Sequence, residues 1–244
     1  SPVENPYTRA ESVDTVTGRG VVVAKVQVPR ATFTTDAKGV VRFAVGQADD
    51  GFSKLYYRSS GEAEWQLVND EKSSGRVEKA IGFSADNAVA YLHVEMDAGP
   101  DAIVAFDAAS GSRKQIFQDA RVDPWRIIRG HGLAGAPVGV MLMDGKPRSV
   151  FFDEASEQAR LHRTLEAALP GQGVMVTSTT KDGRLALVNT FAGNSPGDYY
   201  VYDRDTKRLE HIISIRDWLD PSVMATVEPV QFTARDGQLR QGYI

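Results

Sequence analysis

Ser195 stands in Gly193-Asn194-Ser195-Pro196-Gly197, a G-x-S-x-G pattern of the kind that carries a hydrolytic nucleophile. A nucleophile elbow needs a strand, a sharp turn and then a helix, and the N–H after the serine must help to hold an oxyanion. Residue 196 is a proline, which has no N–H, and the following DYYVYD reads as a strand. The pattern is therefore expected to be a turn between strands, and no residue of the chain is assigned a catalytic role. Gly130–Gly135 (GHGLAG) fits the dinucleotide pattern G-x-G-x-x-G, but Ala136–Val140 begins a strand where a helix N-terminus is required. Gly139–Lys146 is one residue too long for a phosphate loop, and Pro147 follows its lysine.

His93, His131, His162 and His211 show no ligand spacing, and the chain has no cysteine. No metal and no cofactor are expected, and each histidine is expected to be structural or solvated. Acidic residues recur at one kind of position instead. Asp49 and Asp50, then Glu95, Asp97 and Asp101, then Asp144, then Asp198 fall in or beside the loops joining second to third strands of successive strand sets. Asp favours turns for local hydrogen-bonding reasons. Gathered on one face, the same residues would form an acidic rim that attracts the cationic N-terminus of a peptide. Both readings stay open.

The elements that place these residues come in sets. Val174–Thr179, Leu185–Phe191, Tyr199–Asp203 and Leu209–Ile213 are short runs rich in β-branched and aromatic residues, separated by Asp/Gly/Asn/Pro turns. Ala31–Thr35, Val40–Gly46, Leu55–Arg58 and Trp65–Val68 repeat the arrangement, as do Val77–Phe83, Val89–Met96, Ala102–Phe106 and Lys114–Phe117. Pro124–Arg129, Val138–Met143 and Arg148–Phe152 give three strands of another set, after which Asp153–Leu169 reads as a helix. Asp153 is the expected cap, and Leu161, Leu165, Ala168 and Leu169 the expected apolar stripe. Tyr7–Asp14 and Val21–Val28 make a half set, and Val227–Ala234 leads to a last strand ending at Ile244.

The turn between third and fourth strands repeats most clearly: VDTVTG from Val13, FDAASG from Phe106 and YDRDTK from Tyr202, with FFDEAS from Phe151 running into the helix. A four-strand unit with a period of roughly 45–50 residues is the mark of a β-propeller. The expected fold is all-β, with about four blades, a half-blade and one inserted helix near 153–169.

The blade turns, the phrase GFSADNAVAYL (Gly82–Leu92) and the ending PVQFTARDGQLRQGYI (Pro229–Ile244) together resemble the prolyl oligopeptidase family of serine peptidases, in particular its bacterial dipeptidyl-aminopeptidase and acylaminoacyl-peptidase-like members. The ending resembles the opening of that family's hydrolase domain at Phe232, Ala234, Arg235, Asp236, Gly237, Gly242 and Tyr243, with Leu239 one place early. The resemblance implies a propeller over residues 1–226 and a connector with the first strand of an α/β-hydrolase domain over 227–244. It implies that the triad lies beyond Ile244, and that the propeller gates peptide access to it. The rival expectation is a stand-alone five-bladed propeller that binds a protein or ligand, closed by the hairpin Val227–Ile244 beside Tyr7–Val28.

Composition narrows the partners. The 244 residues are 42% hydrophobic and 25% charged, with 28 Lys plus Arg against 32 Asp plus Glu, a net charge of −4. A mildly acidic chain without basic runs argues against nucleic acid and anionic membrane as main partners. No apolar run approaches the length of a transmembrane helix. An open fan of blades predicts self-association through its free edges. The compartment, bacterial periplasm or cytoplasm, is left open.

Overall fold

The computed structural model of the chain describes residues 5–130, 135–225 and 227–244. In it the repeated aspartate proves to be a turn-former. Asp14 Oδ1 accepts the N–H groups of Val16 and Thr17 at 2.8 and 2.9 Å. Asp107 Oδ1 accepts from Ala109 and Ser110 at 3.1 and 2.7 Å, and Asp203 Oδ1 from Asp205 and Thr206 at 3.0 and 3.2 Å. Further along each turn the backbone is left-handed, with φ of 72° at Gly18, 72° at Gly111 and 55° at Lys207. The carboxylate holds the turn and the positive φ sends the chain back antiparallel. The N–H groups of Thr17, Ser110 and Thr206 are the leading reason that these three carboxyls sit below the usual range. Asp153 starts in the same way, accepting the Ala155 N–H at 2.9 Å.

The described chain divides into two compact units, the first reaching to Asp123 and the second holding Pro124–Arg129 and Val138–Ile244. In the first unit β1 (Arg9–Val13) and β2 (Gly20–Lys25) form a two-stranded sheet. The strands β3 (Thr32–Thr35), β4 (Val41–Gln47), β5 (Ser53–Tyr57) and β6 (Gln66–Asp70) make an antiparallel four-stranded blade. A second follows with β7 (Val77–Phe83), β8 (Val89–Glu95), β9 (Ala102–Asp107) and β10 (Arg113–Gln118). Alternation along β4 and β8 turns Phe43, Leu92 and Val94 inward, where they pack with Leu55, Tyr57, Phe83 and Phe106. Phe43 and Tyr57 meet the Phe106 ring edge-on at 5.5 and 5.1 Å. The Tyr57 hydroxyl donates to the Ala108 carbonyl at 2.8 Å, and Thr34 Oγ1 to the Ala80 carbonyl at 3.0 Å, so the polar groups at the junction are satisfied.

One element of this unit differs from expectation. The polar connector after β6 contains a single helical turn, α1 (Glu71–Ser74). Asp70 accepts the Lys72 N–H at 3.1 Å and Gly75, at φ 71°, ends the turn.

In the second unit β11 (Pro124–Arg129), β12 (Pro137–Asp144) and β13 (Lys146–Phe151) form a three-stranded sheet. The helix α2 (Glu157–Ala168) follows, then the blade β14 (Gly173–Thr179), β15 (Leu185–Phe191), β16 (Asp198–Asp203) and β17 (Arg208–Ser214), and the hairpin β18 (Pro229–Thr233) with β19 (Leu239–Tyr243). Leu161, Leu165 and Leu169 of the helical segment pack on Val174, Ala186, Val188 and Tyr202. Two expectations for α2 are corrected. Ala168 faces solvent, and His162, only 4% exposed, takes a place on the buried face. Ser156 rather than Asp153 caps the helix, its Oγ accepting the Ala159 N–H at 3.1 Å. Asp153 is already engaged by its own turn, so the helix starts three residues later, at Glu157. The architecture is all-β, built of four-stranded antiparallel propeller blades with this one inserted longer helix.

Candidate functional site

The acidic residues of the first unit lie where α1 separates two loops. Lys72 Nζ of α1 reaches Asp50 Oδ2 at 3.4 Å, and a Cβ on Gly75 would lie 2.9 Å from Asp97 Oδ2. Asp50 and Asp97 therefore flank one turn of helix. Glu95 pairs with Lys79 at 2.6 Å, and Asp101 with His93 Nε2 at 2.9 Å. Asp49 and Asp97 are exposed and form no ion pair among the described residues. In the second unit Asp144 ends β12, and Asp198 opens β16 with its Oδ1 3.3 Å from His211 Nε2. The negative charges at Asp50 and Glu95 thus stand beside lysines, which weakens the field they project, while Asp101 and Asp198 each stand beside a histidine. The sequence concealed Lys72 and His93 as partners. The signal for His93 lay in strand register, which pairs it with Ile103, two residues beyond Asp101.

Ser195 lies in the connection between β15 and β16. Its carbonyl and N–H pair with Ala192, each bond 3.2 Å, and its Oγ accepts the Gly197 N–H at 3.3 Å. Gly197 has φ 111°, and a Cβ there would come within 2.0 Å of the Thr190 carbonyl. The serine is engaged in closing a strand connection, followed by strand β16 and not by a helix. Gly139 sits in β12 and Lys146 opens β13, so the phosphate-loop pattern spans a hairpin. His131 lies outside the described residues.

A polar network that the sequence did not reveal joins α2 to β13. Arg163 Nη2 donates to the Ser149 carbonyl at 3.1 Å and to Glu154 Oε1 at 2.8 Å, and Arg163 Nη1 donates to Glu166 Oε2 at 2.9 Å. His162 Nδ1 stands 3.5 Å from Glu166 Oε1. Burial pushes the Glu166 carboxyl up, but contacts from His162, Arg163 and Ser149 outweigh it and bring the group to about 2. Ser149, Arg163 and Glu166 line a cleft of about 380 Å³. Ser, His and Glu meet here without catalytic order: the carboxylate is claimed by an arginine, and Ser149 is 4% exposed. The network is structural.

No protein-family model matches the chain. It is 25% identical over 244 residues to dipeptidyl aminopeptidase BIII of Pseudoxanthomonas mexicana, covering 95% of this chain and 33% of that protein. Among solved structures it is similar to prolyl oligopeptidase B of Galerina marginata, with a TM-score of 0.57 at 11% identity, over 93% of this chain and 33% of that one. A structure from a study of two prolyl endopeptidases matches with a TM-score of 0.55 at 16% identity, over 98% of this chain and 35% of that one. At such identities the structural matches speak for the fold. The chain spans about a third of the length of the relatives it matches. Over nearly all its length it is similar to the N-terminal β-propeller portion of prolyl oligopeptidase-family serine peptidases, the bacterial dipeptidyl aminopeptidases among them.

Proposed function

We propose that this chain is the non-catalytic propeller of a serine peptidase and gates peptide access to a hydrolase domain carried by the rest of the protein. The observation that carries the reading is the coverage: the likeness takes in 95% of this chain but 33% of a dipeptidyl aminopeptidase. On this reading residues 1–226 are propeller, and 227–244 are a connector with the first strand of the catalytic domain. Acyl transfer belongs to that domain, and the propeller contributes access and positioning. The isolated chain should hydrolyse no peptide. The intact protein should cleave a short peptide and spare the same sequence inside a folded protein. Equal cleavage of both would overturn the gate.

Asp49 and Asp97 extend the reading to the substrate's N-terminus, since a peptide's free amine is the cation an acidic edge would favour. Neutralising Asp49, Asp50, Asp97 and Asp101 together should weaken free-amine substrates more than N-blocked ones in the intact enzyme. An equal effect on both would remove the rim from the mechanism.

A further inference from the structure

The second unit holds another cleft, of about 310 Å³, between β11, α2 and β14. Ile128, Met141, Phe151, Met175 and Val176 give it a largely apolar wall, and none of its described lining residues is a carboxylate. Two arginines of β11, Arg126 and Arg129, line it as well. The Arg126 guanidinium is stacked 4.4 Å above the Trp125 ring, with Nη1 3.9 Å from Met175 Sδ. It makes no ion pair among the described residues. His162, 4% exposed, lines the cleft and meets the Phe151 ring edge-on at 5.3 Å. Its Nδ1 stands 3.5 Å from Glu166 Oε1, and Glu166 is not among the residues that line this cleft.

We infer that this cleft binds a carboxylate borne on an apolar or aromatic body, with Arg126 on the carboxylate and the Met141, Phe151 and Met175 side chains around the body. A guanidinium presents a flat fork of donors matched to a carboxylate, and its stacking on Trp125 fixes the plane of that fork. Methionine side chains adapt to varied apolar shapes, and the volume is that of a small-molecule site. Gln158 and Thr177 add polar groups beside the apolar wall, suited to an amide next to the carboxylate. The ligand has two sources: the C-terminal residue of a peptide, or a free carboxylic acid. The inference stands on the second unit alone and does not depend on the peptidase reading.

The test is titration of this chain, by calorimetry or amide chemical shifts, with N-acetyl-L-phenylalanine, its C-terminal amide and 3-phenylpropionate. The acid should bind saturably and the amide about tenfold or more weaker, the effect of losing one charge-assisted hydrogen-bond pair. Arg126→Gln, at an exposed position, should weaken the acid by a similar factor and leave the amide unchanged. Stronger binding of the N-acetyl amino acid than of 3-phenylpropionate supports a peptide C-terminus, and equal binding supports a free acid. Acid and amide binding alike, an unaffected acid in the Arg126→Gln protein, or no saturation at concentrations on the order of 10 mM would overturn the site. Inorganic phosphate binding as tightly as the acid would also overturn it, because the apolar wall would then contribute nothing.

Discussion

The Arg163 guanidinium donates to the Ser149 carbonyl at 3.1 Å, across the edge of a blade with three strands among the described residues. The Phe152 N–H donates to the Val138 carbonyl at 2.9 Å, so Phe152, Val150 and Arg148 face β12 with their backbone groups while Phe151, Ser149 and Pro147 face outward. Each outward residue is handled separately. Arg163 takes the Ser149 carbonyl, Glu154 Oε1 accepts the Phe151 N–H at 3.3 Å, and Pro147 has no N–H. A helix does by side chains what an outer strand does by backbone elsewhere in the fold.

Arg163→Ala should therefore destabilise the protein by about 1–3 kcal/mol, the cost of leaving a buried acceptor unpaired. It should also promote association through the bared β13 edge. Denaturant midpoints and light scattering read the two effects. If neither moves, α2 does not guard the edge.

Glu166 sets an acid limit on the second unit. Its folded pKa of about 2 lies below its ordinary value of 4.5, so its contribution is full above pH 4.5 and is lost as pH falls from there towards 2. Glu166→Gln should cost about 2–3 kcal/mol near neutral pH. The gap to the parent protein should narrow steadily as pH falls from 4.5 towards 2. A gap that is the same at pH 7 and pH 3, in urea melts, would contradict the assignment.

Ser156→Ala should cost about 1 kcal/mol by removing the cap of α2, with a loss of helical circular dichroism at the transition midpoint. Asp153→Asn, which keeps an acceptor for the Ala155 N–H, should cost less than half of that. The reverse order would restore Asp153 as the cap.

Ser195→Ala should leave the fold intact and, on the proposed peptidase reading, leave peptide hydrolysis by the full-length protein unchanged, since Ser195 Oγ receives the Gly197 N–H. Gly197→Ala should be severely destabilising, because the added carbon meets the Thr190 carbonyl at 2.0 Å and the φ is 111°. Loss of turnover in a folded Ser195→Ala protein would return that serine to the chemistry.

The sequence by itself determined the blades. Strand identity follows from local runs of β-branched and aromatic residues between turns, and the recurring aspartate of the outer turn is a local device, visible at Asp14, Asp107 and Asp203 before any contact is known. Pro196 likewise settled a local question about Ser195. Only the tertiary structure decided what the charged residues do. Arg163 and Ser149, Asp50 and Lys72, and His93 and Asp101 are joined across different elements or across a hairpin, at distances that no spacing rule encodes. The same holds for α2: its period foretold an apolar stripe, but packing against β13 chose His162 over Ala168 for the buried face. Backbone shape is written in neighbouring residues, whereas the pairing of a side-chain charge depends on which surfaces the folded chain brings together.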